Sequence, residues 1–391
     1  MFVDYIMNGA GHGAVGEALG QVRFDPGLLR PYLDENNVKC CTVNTGRVRY
    51  DEARGKHVPI KENVRVKDLV DAGIWSPVFN SSTTLRKEEW IQLDNVVLMA
   101  ARKRLKAWAD LARANSYGIS GMTKMVLEHE TMSDPGEALV DMEGLADSIT
   151  DTPRFQLEAL PLPITHSGFW YSQRRLSVSR SSGTPLDTTM GEACGRRVAE
   201  KVEKTTIGVT TGVTYGTAAV TSGYGRTSAV YGYTNFSSRL TKTDMTTPTG
   251  SNPEATVQDF LEAREQLYSN NFYGPFMVYH STDWDQYLDN DYARLGGNNM
   301  NMTLRDRLKK IEGIMDVQRL DFLTSSTNPF TMIFVQMTSD VARAVNGLDL
   351  TTVQWEAKGG MQLMFKVICI YVPQLRADFN GNCGILEATT S

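Results

Sequence analysis

The chain has 391 residues, roughly two to three domains at about 150 residues each, enough to bury a core without disulfides or metal. Hydrophobic residues make up 41% and charged residues 22%, which excludes wholesale disorder. Lys and Arg number 40 against 45 Asp and Glu, a net charge of −5; this excludes a strongly basic coat on nucleic acid but leaves open a protein lining a space that contains it.

The five cysteines, Cys40, Cys41, Cys194, Cys369 and Cys383, are odd in number and form no CxxC. Reduced thiols in a cytosol-like compartment are expected, with neither a disulfide framework nor a zinc finger. Apolar runs such as 96–101 and 367–372 fall far short of the ~20 residues of a membrane span. Residues 1–7 carry Asp4 and lack the basic start of a signal peptide, so a soluble intracellular protein is expected.

Residues 1–84 read as an irregular arm. Gly9, Gly11, Gly13, Gly16 and Gly20 break any long helix, and Pro26, Pro31, Pro59 and Pro77 punctuate the rest. Short strands at 38–43 and 47–50 fit the pattern, and the arm is expected to bury no core of its own. Residues 85–115 contain no Gly or Pro. Trp90, Leu93, Val97, Ala101, Leu105, Trp108 and Leu111 recur at helical steps, which predicts one long amphipathic helix. Its second half is basic through Arg102, Lys103, Arg104 and Lys106. These are either solvated cations near a helix C-terminus or a face turned toward packaged polyanion.

From 118 to 163 the helical period gives way to alternation. Met125, Leu127 and His129 alternate with Lys124, Val126, Glu128 and Glu130; Phe155, Leu157 and Ala159 alternate with Arg154, Gln156 and Glu158. The turn Ser133-Asp134-Pro135-Gly136 and an acidic piece at 137–151 lie between. This predicts a long β-arm, and since an isolated ribbon is marginal in water it should pack on a neighbouring surface.

Thr184, Pro185 and Asp187 form a capping pattern that opens a helix of about five turns with the stripe Met190, Cys194, Val198 and Val202. The Gly, Thr, Ser and Tyr tract at 205–251 reads as short ordered strands. Further helices are expected at 253–268 and 282–292, strands at 276–279, 331–337 and 362–372, and a hairpin turn at Asn380-Gly381. Helices and strands mix without a βαβ repeat, so the class is α+β.

Catalytic and ligand motifs are weak. Gly11-His12-Gly13-Ala14-Val15-Gly16 is a literal GxGxxG, but Gly20 and Pro26 cut the helix a dinucleotide site needs. Asp283, Asp285, Asp289 and Asp291 resemble a calcium loop only until Leu288 and Arg294 occupy the positions of its Gly and Glu. His12, His57, His129, His166 and His280 have no metal spacing and no neighbouring nucleophile motif. No catalytic residue, metal or cofactor is expected, and the chain reads as a non-enzyme.

One stretch carries a resemblance. Leu160-Pro161-Leu162-Pro163-Ile164 leads through His166, Phe169, Arg174, Arg175, Ser179, Arg180 and Gly183 to Pro185-Leu186-Asp187-Thr188. It resembles the encapsulin (linocin-like) family, whose fold is shared with the major capsid proteins of tailed phages. Gly274-Pro275-Phe276 and the run 363–372 before Pro373 are similar to later family strands, so the likeness spans 85 to the C-terminus.

The resemblance implies a Hong Kong 97-like capsid fold. Its parts would be an N-arm at 1–84, an amphipathic helix at 85–117 and an E-loop at 118–168. A peripheral domain with spine helix at 169–251, an axial domain at 252–346 and return strands at 347–391 would follow. It implies a homo-oligomeric shell of pentamers and hexamers in a virion, assembled in the host cytoplasm around double-stranded DNA without specific binding. Portal and possible scaffold or decoration partners come with it, and no membrane. The long N-terminal extension and the large 208–235 tract favour a phage capsid over the alternative, an encapsulin compartment enclosing a cargo enzyme. At the subunit interface, Arg174, Arg175 and Arg180 near the root of the β-arm are expected to set register against Glu128, Glu130, Glu137 and Glu143 along it. Lys124 is the only lysine in the arm, with Asn380 and Asn382 as candidate crosslink partners.

Overall fold

A computed structural model describes residues 30–36, 38–51, 56–71, 85–119, 122–132, 140, 142, 152, 155–182, 187–209, 220–221, 227–249, 251–293, 299–323, 329–378 and 380–390. The GxGxxG motif lies outside them.

The arm holds a three-stranded antiparallel sheet, β1 (Tyr32–Leu33), β2 (Lys39–Asp51) and β3 (Lys56–Arg65), followed by α1 (Val66–Asp71). The two expected short strands are one strand with a register shift between Asn44 and Val48. Contrary to expectation, this segment has a small core: Cys41 and Val43 alternate inward on β2 and meet Val64, Val66 and Leu69. It is also tied to the body. Leu33 N–H donates to Leu85 O at 3.1 Å, Trp90 Nε1 donates to Pro31 O at 2.9 Å, and Arg30 pairs with Asp94 while stacking over the Trp90 ring.

The predicted long helix is two, α2 (Lys87–Arg102) and α3 (Ala107–Ala114). The apolar stripe is buried as its period predicts, but at the break the carboxylate of Glu203 takes the N–H groups of Lys106, Ala107 and Trp108. A tertiary acceptor thus starts a fresh helix where the local pattern would continue. β4 (Ser116–Gly118) follows. The β-arm is an antiparallel ribbon of β5 (Val126–Met132) and β6 (Phe155–Pro161), paired from Val126↔Pro161 to Met132↔Phe155. β7 (Thr165–Ser172) runs straight into α4 (Gln173–Ser182).

The next helix, α5 (Thr189–Ile207), starts later than expected, with Thr188 at its N-cap; Thr184, Pro185 and Leu186 lie outside the described residues. Asp187 accepts from Thr189 N–H at 3.0 Å. Cys194, Val198 and Val202 are buried, but Met190, expected on the same stripe, is exposed on the first turn. Gly208 ends the helix in the left-handed conformation at φ 92°.

β8 (Val220–Thr221) and β9 (Thr227–Ser228) pair within the Gly/Thr tract, and β10 (Leu240–Met245) closes it. α6 (Pro253–Ser269) and β11 (Phe276–His280) match the pattern. The expected helix at 282–292 shrinks to a 3₁₀ turn and α7 (Asp285–Leu288) before β12 (Asp291–Ala293). There Arg305 binds Asp285 at 3.0 Å and Asp289 at 2.8 Å, and Leu304 N–H caps Asn290 O, so the chain turns away from helix. β13 (Asn299–Thr303), α8 (Leu304–Lys309), β14 (Ile314–Arg319), β15 (Thr331–Gln336), β16 (Ala342–Ala357), β17 (Gln362–Leu375) and β18 (Ile385–Thr390) complete the order.

Two sheets organise the body. One has the order β4-β16-β17-β7, and β16 and β17 form its long hairpin through a turn with positive φ at Lys358, Gly359 and Gly360. α2 and α5 cover one face, where Phe169 stacks on Phe365 at 5.1 Å and Trp90 meets Phe365 edge-on at 6.0 Å. The other sheet has the order β10-β18-β15-β11-β14 and carries α6 through contacts such as Phe260 with Phe334 at 4.6 Å. Two elements cross the expected segment limits: β10, read with the tract, joins the second sheet, and Ala342–Asn346 begins the long strand of the first. Asn380-Gly381 sits in a turn, with Gly381 at φ 82°, but β17 and β18 belong to different sheets, so the turn makes no hairpin.

Candidate assembly surfaces

On the ribbon, period two sorts the side chains. Leu127 and Leu160 turn to the body and join a buried cluster with Val345, Ile370 and Val372. His129 Nε2 lies 3.2 Å from Glu158 Oε2, and this contact holds the Glu158 carboxyl below the usual range. Glu128 and Glu130 are exposed on the opposite face with Phe155, which is 62% exposed. Lys124 is exposed just before β5. Glu137 and Glu143 lie outside the described residues.

Arg174 and Arg175 are exposed on the first turn of α4. Arg180, expected with them, is engaged within its own chain. Its Nε and Nη2 bind the two oxygens of Glu89 on α2 at 3.0 and 2.7 Å, with both side chains mostly covered. Burial works against the Glu89 charge, but this fork-to-carboxylate pair holds its carboxyl below the usual range. The chain thus pairs none of the three expected arginines with Glu128 or Glu130; the cation reaching the ribbon is Arg376, donating to Glu130 O at 3.3 Å.

One surface and one buried joint have no direct signal in the sequence. On the open face of the first sheet the register aligns Trp170, Met364 and Trp355 in one row, with Trp170 53% exposed and Lys366 on the next row. The indirect signal was the alternation Phe169, Trp170, Tyr171, in which the middle ring must point away from the helices. The second is the joint at Glu203, which is 2% exposed and accepts from Ala107 N–H at 2.7 Å and from Lys106 and Trp108 N–H at 3.2 Å. Burial pushes its carboxyl up to about 7, against the pull of those three donors. Nearby Tyr279 donates to Asp110 Oδ2 at 3.3 Å, linking α3 to the second sheet. No cluster of His, Cys, Asp and Glu fit for a metal occurs among the described residues. No helix among them is long and apolar enough to cross a membrane.

Residues 80–388 match the model of a family described as being of unknown function, DUF6260. The chain belongs to the DUF6260 family. This member is 24% identical over 222 residues, 56% of its length, to the type 1 encapsulin shell protein EncA of Myxococcus xanthus (strain DK1622), covering 68% of that protein. The virus-like particle of Pyrococcus furiosus matches 77% of this DUF6260 chain and 99% of its own, with 16% identity and a TM-score of 0.51. The capsid of Myoviridae phage XM1 matches 72% and 92%, with 10% identity and a TM-score of 0.50. The DUF6260 member therefore has the α+β, Hong Kong 97-like fold of these two particles.

Proposed function

We propose that this protein is the major subunit of an icosahedral phage capsid that self-assembles around double-stranded DNA. The observation that carries the reading is a pair of complementary patches that the chain's own fold leaves apart. The ribbon offers Glu128, Glu130 and Phe155; the first sheet and α4 offer Trp170, Arg174 and Arg175. In a closed shell every copy uses the same patches, and many modest contacts sum to a stable particle. In this reading residues 1–84 are the N-arm and 118–168 the E-loop. The first sheet with α5 is the peripheral domain, and the second sheet is the axial domain around the five- and six-fold openings. A portal, and a scaffold or decoration protein, are the expected partners. The particle is a virion formed in the host cytoplasm, and the chain itself catalyses nothing.

An encapsulin compartment is the second reading, favoured by the likeness to EncA. Negative-stain imaging of the expressed protein tests both, since each requires cages. Particles from cells that make the protein naturally separate them: nuclease-resistant DNA supports the capsid, a co-purified enzyme the compartment. Arg174→Glu with Arg175→Glu is expected to leave soluble subunits that close few shells; normal shells would remove the charge-register idea.

A further inference from the structure

We infer that the outer face of the α2–α5 layer is the wall that meets nucleic acid, its arginines and lysines taking the phosphates of duplex DNA. The inference rests on the shell reading above and adds which side of the subunit faces inward.

The whole chain is acidic by 5 charges, yet this face is basic. Period 3.6 divides α5 sharply. Cys194, Val198, Ala199 and Val202 are buried toward α2 and the first sheet, while Arg196, Arg197 and Lys201 are exposed on the outer side. The end of α2 supplies Arg102 and Lys103, also exposed. Arg104 and Glu200 bind the two groups into one surface, at 3.6 Å from each other, with Arg196 Nε 3.9 Å from the same carboxylate. Two acids, Glu200 and the exposed Glu192 one turn before Arg196, thus stand among six bases. The exposed apolar side chains Leu98 and Met99 sit beside them on α2, so the face is a ridged cationic surface on rigid helices.

The pattern fits a duplex backbone better than a protein partner. Long, flexible cations spaced along two helices neutralise phosphates without reading bases. A surface with a surplus of cations gives weak binding per copy that adds up over a shell. The opposite face of the first sheet, with its row of Trp170, Met364 and Trp355, has the aromatic composition of a protein contact instead.

The test uses the unassembled full chain and a random-sequence 30-base-pair duplex, followed by fluorescence anisotropy from 50 to 200 mM salt. Arg196→Gln/Arg197→Gln/Lys201→Gln is compared with a charge-matched control, Lys61→Gln/Lys310→Gln/Lys358→Gln, whose lysines are exposed elsewhere. With about 0.9 of slope lost per phosphate contact, the first variant should flatten log K against log salt by about 3, and the control should not. Equal flattening in both means binding follows net charge alone, and an unchanged slope in the first means the face serves another partner; either overturns the inference. Negative-stain images of the first variant should show closed shells at wild-type yield. Loss of shells would make the face a subunit contact and also overturn it. If the wild-type chain forms no shells at all, the shell reading fails, while the slope comparison still decides whether this face binds DNA.

Discussion

Replacing Glu203 with Gln tests the joint between α3 and α5 through its pH dependence. The wild-type carboxyl titrates at about 7 in the folded chain against an ordinary 4.5. Between these values the folded state keeps a proton that the unfolded state has lost. The associated stability is complete below 4.5 and is lost as pH rises through 7, amounting to about 3 kcal/mol at about 1.4 kcal/mol per decade. Glu203→Gln cannot ionise, so this slope disappears. Gln keeps one oxygen for Ala107 and Lys106 but turns an N–H₂ toward the Trp108 N–H, which costs on the order of 1–2 kcal/mol at every pH. The variant should therefore be less stable than wild type at pH 5 and match or exceed it at pH 8. Urea unfolding followed by tryptophan fluorescence reads this, since Trp108 stacks on Tyr371 at 5.0 Å beside the joint. Taking wild type minus variant removes the groups that titrate independently of Glu203; Asp110, whose charge adds to the rise of the Glu203 carboxyl, stays coupled to it and belongs to the measured difference. A difference that stays flat from pH 5 to 8, or grows with pH, would refute the reasoning.

Four further expectations share that assay. A Cβ on Gly195 would sit 2.9 Å from Val97 O and 3.2 Å from Val97 Cα, so Gly195→Ala must push α2 away and should cost about 1–3 kcal/mol. Gly191→Ala meets only the end of the Leu93 side chain among atoms closer than 3.4 Å; Leu93 can rotate, and with the gain in helix propensity the net change should stay within about 1 kcal/mol. Arg180→Ala should cost about 1–3 kcal/mol and couple to Glu89→Ala in a double-mutant cycle, with Arg180→Lys recovering only part because an ammonium lacks the two-pronged fit; additive effects would contradict the pairing. Phe365→Ala, emptying a fully buried site against Phe169 and Trp90, should cost about 3–5 kcal/mol.

Much of the fold was legible because burial writes a period into the chain. The stripes of α2 and α5, the fully buried β11 and the alternation of the ribbon could be read directly. What failed depended on partners distant in sequence. Nothing near residue 104 announces that Glu203 will interrupt the helix, and nothing near 285 shows that Arg305 will fold it away. β16 escaped because Asn346, Gly347 and Asp349 look like a loop; in the structure they fall among register shifts inside one long strand. For the assembly surfaces, charge could be counted but not paired. Arg174, Arg175 and Arg180 look alike in sequence, yet only Arg180 lies within reach of Glu89.

The second sheet places β18 between β10 and β15, strands that begin about 145 and 54 positions earlier. A nascent copy that has emerged only as far as β17 has the lone strand β10 and the three-stranded piece β15-β11-β14, with nothing to zip them together. Translation order thus acts as a timer: the sheet stays split until β18 arrives, and a prematurely ended copy keeps unpaired strand edges.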